Sequence, residues 1–229
     1  DDSDGFDVYF PLVYRDYISV KKALGTTYLD WQPDNKTLVV RSEPILTVID
    51  AGTALIMYSV EQQLPSNGVA PVVSLVVGGR DIDAKYSSQY LPYKMPAALS
   101  SWLDTAVLSG NVKEFGILFH GGPPRLDRTA KTTQLLFDME NTNINYHPDW
   151  LGLRNIQTVV LADDGYVEGT ANAGNVGGAN IIEATAIYDT EVPPAQRLLI
   201  VDSSITSEMS AAISILDQSP LKKNIGPLA

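Results

Sequence analysis

The sequence predicts a mainly β protein with short α-helices, in which antiparallel β-meanders form a curved sheet or groove. Most of the chain consists of short runs with apolar residues at alternate positions, which is the period of a strand. Turn residues separate these runs, so most connections are short and favour antiparallel meanders over βαβ units. Two stretches instead have apolar residues at helical spacing, and each follows a set of strands.

Strands are predicted wherever alternating or β-branched runs occur. In the first part of the chain they cover residues 6–14, 26–31, 36–41, 45–49, 54–60 and 72–77. In the second part they cover residues 113–120, 133–140, 156–162, 166–171, 181–188 and 197–205. The segments 32–35 and 50–52 between strands contain turn-forming residues, which supports hairpin connections there.

Two amphipathic helices are predicted, over residues 95–108 and 207–216. In the first, Pro96 suits an initial helical turn and Gly110 suits the stop. In the second, Ser207 is the expected N-cap and Pro220 lies just beyond the end. The recurrence predicts two β-meander units, each containing a helix, over residues 1–109 and 110–229 of one continuous fragment.

The composition argues against several classes of function. The chain has 16 Lys and Arg against 27 Asp and Glu, a formal charge of −11 without a basic patch, so neither nucleic acid nor an anionic membrane surface is an expected partner. It has no cysteine, which excludes disulfides and thiolate chemistry. No apolar run approaches the roughly 20 residues of a membrane-spanning helix. Because the sequence starts at Asp1 without a signal peptide, we expect a processed or excised part of a longer protein.

One motif suggests catalysis, and it is the weakest of the alternatives. Asp50-Ala51-Gly52-Thr53 resembles the catalytic loop of an aspartic protease, which needs two carboxylates sharing a proton. The near match at Asp202-Ser203-Ser204 lacks the glycine, so a tight turn at Asp50 is the favoured interpretation.

Other candidate sites also favour structural interpretations. The segment 174–178 is rich in glycine but lacks the Gly-Lys-Ser/Thr of a phosphate-binding loop, so it predicts a turn. His120 and His147 have no metal-ligand spacing and no serine elbow, so both are expected to be hydrogen-bonded surface or corner residues. We therefore expect no enzymatic activity, no metal and no cofactor.

The alternating strands leave two architectures open. A closed β-sandwich would bury the apolar sides of two sheets and would suit a structural or adhesive module that binds a protein or a glycan. A single curved sheet would instead line a groove with the same residues. Periodicity alone does not distinguish these cases.

Four segments, in order from about Val69 to Ala229, resemble the AsmA-like proteins of Gram-negative bacteria, and most closely the YhdP family. The first combines residues 90–103 with Gly110-Asn111-Val112-Lys113-Glu114 and the strand ending Phe119-His120-Gly121. The second is Ile144-Asn145-Tyr146-His147-Pro148-Asp149-Trp150, followed by Leu153-Arg154-Asn155-Ile156. The third is the meander from Ile181 to Leu199, and the last is the closing helix with Leu216-Asp217-Gln218-Ser219-Pro220-Leu221.

This resemblance implies a fragment of a long protein that is anchored in the inner membrane and crosses the periplasm. Its β-groove would conduct phospholipids between the inner and outer membranes and support envelope integrity. The implied partners are phospholipid acyl chains and possible other envelope proteins, and exposed sheet edges make a dimer possible. The residues expected to line the groove are Leu55, Met57, Val73, Leu75, Val77, Phe115, Ile117, Phe119, Leu135, Phe137 and Met139.

Overall fold

A computed structural model of the chain describes residues 5–8, 17–66, 68, 71–84, 107–122, 132–189 and 192–225. Within these residues, thirteen strands form a single antiparallel sheet. From β5 onward each strand pairs with the next one in the chain, while β1 and β2 extend the sheet beyond β5. The β3–β4 hairpin joins the sheet through β6. The predicted mainly β, curved meander fold is confirmed.

The strands of the first part are β1 (Phe6–Val8), β2 (Ile18–Leu24), β3 (Thr27–Gln32), β4 (Thr37–Ser42), β5 (Ile45–Ile49), β6 (Gly52–Gln63) and β7 (Val72–Asp83). Those of the second part are β8 (Val107–Gly121), β9 (Thr132–Ile144), β10 (Leu153–Asp163), β11 (Tyr166–Val176), β12 (Ala179–Asp189) and β13 (Leu199–Thr206). Two helices follow, α1 (Met209–Asp217) and α2 (Lys222–Ile225), and a short 3₁₀ turn (Pro194–Gln196) precedes β13.

The sheet is open, because β1 and β13, at the two ends of the strand order, do not pair with each other. All thirteen strands of the described part of the chain belong to this one sheet, with no second sheet facing it. The closed β-sandwich is therefore wrong for these residues. The sheet also continues through β8 across residues 109 and 110, where the two predicted units meet, and the division into two units stays a prediction.

The predicted helix over residues 95–108 falls mostly outside the described residues. Its last two residues, Val107 and Leu108, belong to β8, and Gly110 lies within the same strand rather than at a helix stop. Strand β2 was not predicted, because Lys21 and Lys22 interrupt its alternation. The structure has a register shift at this point, and the Nζ of Lys21 lies 2.8 Å from a carboxylate oxygen of Asp50.

The C-terminal helix is confirmed, but its details differ from the prediction. Its N-cap is Glu208 rather than Ser207, and no side chain caps it. A side chain added at Gly177 would meet Leu151 and Ile215, and one added at Gly178 would meet Ala211. The helix therefore lies against the β11–β12 turn through residues 211 and 215, while Met209 of the predicted stripe is exposed.

The most buried cluster lies at this same end of the strands. Ala51, Ile82, Ala84 and Val112 form it, and Ile49, Phe115, Phe137 and Met139 pack against it. The cluster joins the β5–β6 turn to β7, β8 and β9. It anchors one end of a sheet whose remaining surface is largely half-buried or exposed.

Candidate functional site

The strand register divides the sheet into two chemically different faces. Register shifts near Lys113, Gln157 and Ile182 mark a line of bulges near the helix-bearing end of the strands. Between this line and the β10–β11 turn, the pairing of β6 to β13 is regular, and we call this region the central block. Residues directly opposite each other in an antiparallel pair point to the same side, so each row of partners belongs to one face.

One face of the central block, which we call the apolar face, contains two complete rows of apolar residues or glycine. The first row is Ile56, Val77, Ile117, Leu135, Ala162, Val167, Tyr188 and Leu199. The second row is Ala54, Gly79, Phe115, Phe137, Val160, Gly169, Ala186 and Val201. Each row crosses eight strands, a distance of about 34 Å along a flat sheet at about 4.8 Å per strand.

No charged residue of the central block lies on the apolar face. The charged residues lie on the opposite side, which we call the mixed face, among them Glu61, Arg80, Glu114, Asp138, Asp163, Glu168, Asp189 and Asp202. Two ion pairs form there, Arg80 with Glu114 at 3.1 Å and Lys113 with Asp138 at 3.4 Å. The charges are thus segregated to one side of a single sheet and the other side is left apolar, the alternation that is typical of antiparallel sheets.

Several large side chains of the mixed face are more exposed to water than the large side chains of the apolar face. On the mixed face, Leu55 is 51% exposed, Val76 is 41% exposed and Leu161 is 51% exposed. On the apolar face, the large side chains from β6 to β11 are all half-buried. From β6 to β11, the large side chains of the apolar face are therefore better protected from water than these three residues of the mixed face.

Aromatic packing shapes the middle of the apolar face. The rings of Phe115 and Phe137 stack with centroids 6.4 Å apart and planes 17° from parallel. Phe115 also lies directly over Gly79, where an added Cβ would be only 2.3 Å from the ring atom Cε1. The missing side chain at Gly79 leaves the space that this ring occupies.

Nine of the eleven residues expected to line a groove share the apolar face. They are Val73, Leu75, Val77, Phe115, Ile117, Phe119, Leu135, Phe137 and Met139. Leu55 and Met57 instead lie on the mixed face, opposite Gly78 and Val76. Their neighbours Ile56 and Tyr58, like Ala54, lie on the apolar face. Contact of any of these residues with lipid stays a prediction.

The apolar face also continues beyond the expected residues. Val160, Ala162 and Val167 extend it over β10 and β11, and Tyr188 and Leu199 extend it over β12 and β13. The alternating pattern of these strands contained the necessary signal. Small residues such as Ala162 and Ala186 made it weaker than in β8 and β9.

Asp50 is part of a turn rather than a catalytic pair. It lies between β5 and β6, is exposed and forms the ion pair with Lys21. Asp202 is in β13, eight strands away from β5 in the order of the sheet. Two carboxylates this far apart do not share a proton, so one chain does not assemble an aspartic-protease dyad.

The remaining sequence candidates lie in hydrogen-bonded surface positions. The Nδ1 of His120 is 2.8 Å from the Oγ of Ser74, and the Nδ1 of His147 accepts the backbone N–H of Asp149. Gly177 and Gly178 have φ angles of 55° and 91° and form the two-residue β11–β12 hairpin turn. Across the described segments, no group of three or more His, Cys, Asp or Glu side chains is placed to hold a metal ion.

The corner between β9 and β10 is a packing feature. The rings of Tyr146 and Trp150 lie 6.5 Å apart, centroid to centroid, at the head of the corner. Burial raises the pKa of Tyr146 above its ordinary value, so the phenol stays protonated near neutral pH. Its ring forms an aromatic contact with Trp150 in this corner.

Comparison with known proteins gives one match. A family model described as YhdP protein matches residues 2–228, nearly the whole chain. This match includes the residues before Val69, which lie outside the motifs that carry the resemblance. No curated protein and no solved structure matches the chain. In the described part of the chain, no helix is both long enough and apolar enough to cross a bilayer.

Proposed function

Because the chain belongs to the YhdP family, we propose that it is a segment of an AsmA-like lipid-transport protein and that its apolar face carries phospholipid acyl chains. In this proposal the parent protein is anchored in the inner membrane and extends through the periplasm. It moves phospholipids between the inner and outer membranes and thereby supports envelope integrity. Other envelope proteins are possible partners of the parent chain.

The observation that carries this proposal is the uncharged apolar face. Its rows span about 34 Å, whereas the acyl chains of one leaflet span about 15 Å, half of a bilayer core of about 30 Å. An acyl chain therefore fits along a row with room to move. Each CH₂ group fully removed from water contributes about 0.8 kcal/mol, and an open sheet removes only part of its surface.

The same face explains why movement along the sheet is feasible. Aliphatic and aromatic side chains recur in both rows without a charged residue that would fix a headgroup at one point. Successive positions along a row therefore differ little in chemistry, which favours sliding over a single deep site. The polar headgroup would stay in water at the rim of the curved sheet.

We expect phospholipid to co-purify with this chain when it is expressed in a Gram-negative host. Native mass spectrometry would show protein with bound lipid, and extraction followed by lipid mass spectrometry would identify the class. The apolar face predicts acyl-chain binding with little selection between headgroups, so the bound classes should follow their abundance in the host.

A matched soluble β protein of similar size, purified in the same detergent-free buffer, is the control for carry-over. The proposal is contradicted if the chain is folded by circular dichroism but holds no more lipid than this control. Exchange of a fluorescent phospholipid from vesicles onto the purified chain gives an independent measurement of the same property.

A further inference from the structure

Tyr188 places a hydroxyl group at the end of the apolar face. It lies in the first row of that face, opposite Val167 of β11 and Leu199 of β13. Because Asp189 is the last residue of β12, Tyr188 is the last residue that this strand contributes to the apolar face. Its side chain is 36% exposed, so the ring presents an apolar body to the face and an accessible polar tip.

The hydroxyl of Tyr188 is available to a ligand. Of the three tyrosines in β6 to β13, two use their hydroxyl within the protein. The Oη of Tyr58 lies 3.1 Å from the Oγ1 of Thr27, and that of Tyr166 donates to Glu168 at 3.4 Å. Tyr188 has no hydrogen-bond partner among the residues that the structure describes. Since a tyrosine that becomes buried usually finds a partner for its hydroxyl, a ligand that covers this ring needs an acceptor.

The residues next to Tyr188 form a shallow strip on the same face. They are small, and they lie on β12 and on the paired strand β11: Ala184, Ala186, Gly169 and Ala171. From Tyr188 to Ala184 the strand advances about 14 Å, at about 3.4 Å per residue. The acyl chains of one leaflet span about 15 Å. The strip therefore matches the length of an acyl chain.

Gly169 leaves open space in the middle of this strip. Its φ angle lies outside the left-handed region, and an added Cβ would meet nothing closer than the Cγ2 of Val160 at 3.9 Å. Neither the backbone conformation nor a neighbouring side chain therefore requires glycine here. At Gly79, by contrast, the ring of Phe115 occupies the space of the missing side chain. A glycine inside a strand with open space above it is typical of a position where a ligand approaches the backbone closely.

We propose that Tyr188 donates a hydrogen bond to an ester carbonyl of a bound phospholipid, whose acyl chain lies along the strip over Gly169. This inference rests on the proposed function and identifies the part of the lipid that the apolar face recognises. The ester carbonyl is the acceptor at the start of an acyl chain, so a donor at the end of the strip meets it. Every diacyl phospholipid contains such esters, which agrees with little selection between headgroups.

An ester suits this hydroxyl better than a phosphate does. Phosphate is bound most strongly by charge-assisted hydrogen bonds from Arg or Lys, and no charged residue of the central block lies on the apolar face. A neutral hydrogen bond also has a modest net contribution, so it can be broken when the lipid moves along the sheet.

Removal of the hydroxyl tests the ester contact. Tyr188→Phe should weaken the binding of a diester phosphatidylcholine about 2- to 12-fold, the effect of one neutral hydrogen bond. It should leave the binding of the diether analogue unchanged, because that lipid has no ester carbonyl. Displacement of a fluorescent phospholipid from the purified chain measures both dissociation constants. Tyr166→Phe, on the mixed face, is the matched control and should change neither.

A side chain added at Gly169 tests the position of the acyl chain. Gly169→Leu would fill the strip and should reduce the lipid that co-purifies. Gly116→Leu is its counterpart on the mixed face, where an added Cβ would also have its nearest neighbour, the Cβ of Leu136, at 3.9 Å. This second variant should retain bound lipid. Thermal unfolding followed by circular dichroism establishes that both variants are folded.

The ester contact is overturned if Tyr188→Phe changes neither dissociation constant, or changes those of the diester and the diether equally. The position of the acyl chain is overturned if Gly169→Leu and Gly116→Leu hold the same amount of lipid. In these cases a wild-type chain that binds lipid leaves the proposed function in place. A folded wild-type chain that binds no lipid contradicts both proposals.

Discussion

Ile117→Glu should reduce the phospholipid that co-purifies with this chain by about tenfold or more. Ile117 is in the centre of an apolar row, between Val77 and Leu135. An acyl chain crossing this position would have to desolvate the new carboxylate. Burying an uncompensated polar group costs about 2–7 kcal/mol, and each 1.4 kcal/mol is a factor of ten in binding.

The adjacent residue provides the matched control. Leu118 lies in the same strand but on the mixed face, where it is exposed opposite Val76. Leu118→Glu should retain bound phospholipid, since a charge there adds to a face that already contacts water. Lipid content per mole of folded protein, measured by extraction and mass spectrometry, compares the two variants.

Stability must be followed in the same experiment, because Ile117 is half-buried and its replacement by glutamate weakens packing. Tyr188→Glu is a second variant in the same row at a more exposed position, and it should lose lipid with a smaller change in the unfolding temperature. Equal lipid content in Ile117→Glu and Leu118→Glu would show that the apolar face does not hold the lipid.

The sequence was sufficient to predict most strands because apolar and polar residues alternate in them. In β8, for example, Phe115, Ile117 and Phe119 are separated by Gly116 and Leu118, and the structure places all three on one face. The line of bulges was not visible in this pattern. A bulge depends on the pairing of two distant segments, and single-strand periodicity contains no information about the partner.

The position of Leu55 and Met57 on the mixed face has the same explanation. The segment from Ala54 to Val60 has apolar residues at both its odd-numbered and its even-numbered positions, since Leu55 and Met57 alternate with Ile56 and Tyr58. Only the pairing with β7, which sets Ile56 opposite Val77, decides which of these two alternating sets lies on the apolar face. The open architecture likewise required tertiary information, because a sandwich and a curved sheet have the same alternation.

The start of helix α1 shows a different limit of prediction from sequence. Ser207 is a better N-cap by composition than Glu208, yet the helix begins after Glu208. The helix contacts the β11–β12 turn through Ala211 and Ile215, and most helical stability in proteins comes from such packing rather than from local preference. Residue preferences at a cap contain no information about this tertiary contact.

Gly79→Ala should lower the free energy of unfolding by about 1–3 kcal/mol, the typical result of adding atoms to a well-packed position. The new Cβ would lie 2.3 Å from the Phe115 ring and 2.9 Å from the backbone oxygen of Thr53. The ring must move, which disturbs its stacking with Phe137 and its contact with the buried cluster near Val112. Urea unfolding followed by circular dichroism measures the change.

Gly78→Ala is the control that separates this contact from a general effect of replacing glycine in a strand. The Cβ at residue 78 would point to the mixed face, where the nearest atom is the backbone oxygen of Phe115 at 3.6 Å. That variant should be neutral or stabilised by up to about 1 kcal/mol, because alanine restricts the unfolded chain more than glycine does. If both variants lose the same stability, the packing of Phe115 over Gly79 is not what organises the middle of the apolar face. If only Gly79→Ala is destabilised, the missing side chain at Gly79 supports the stacking of Phe115 on Phe137.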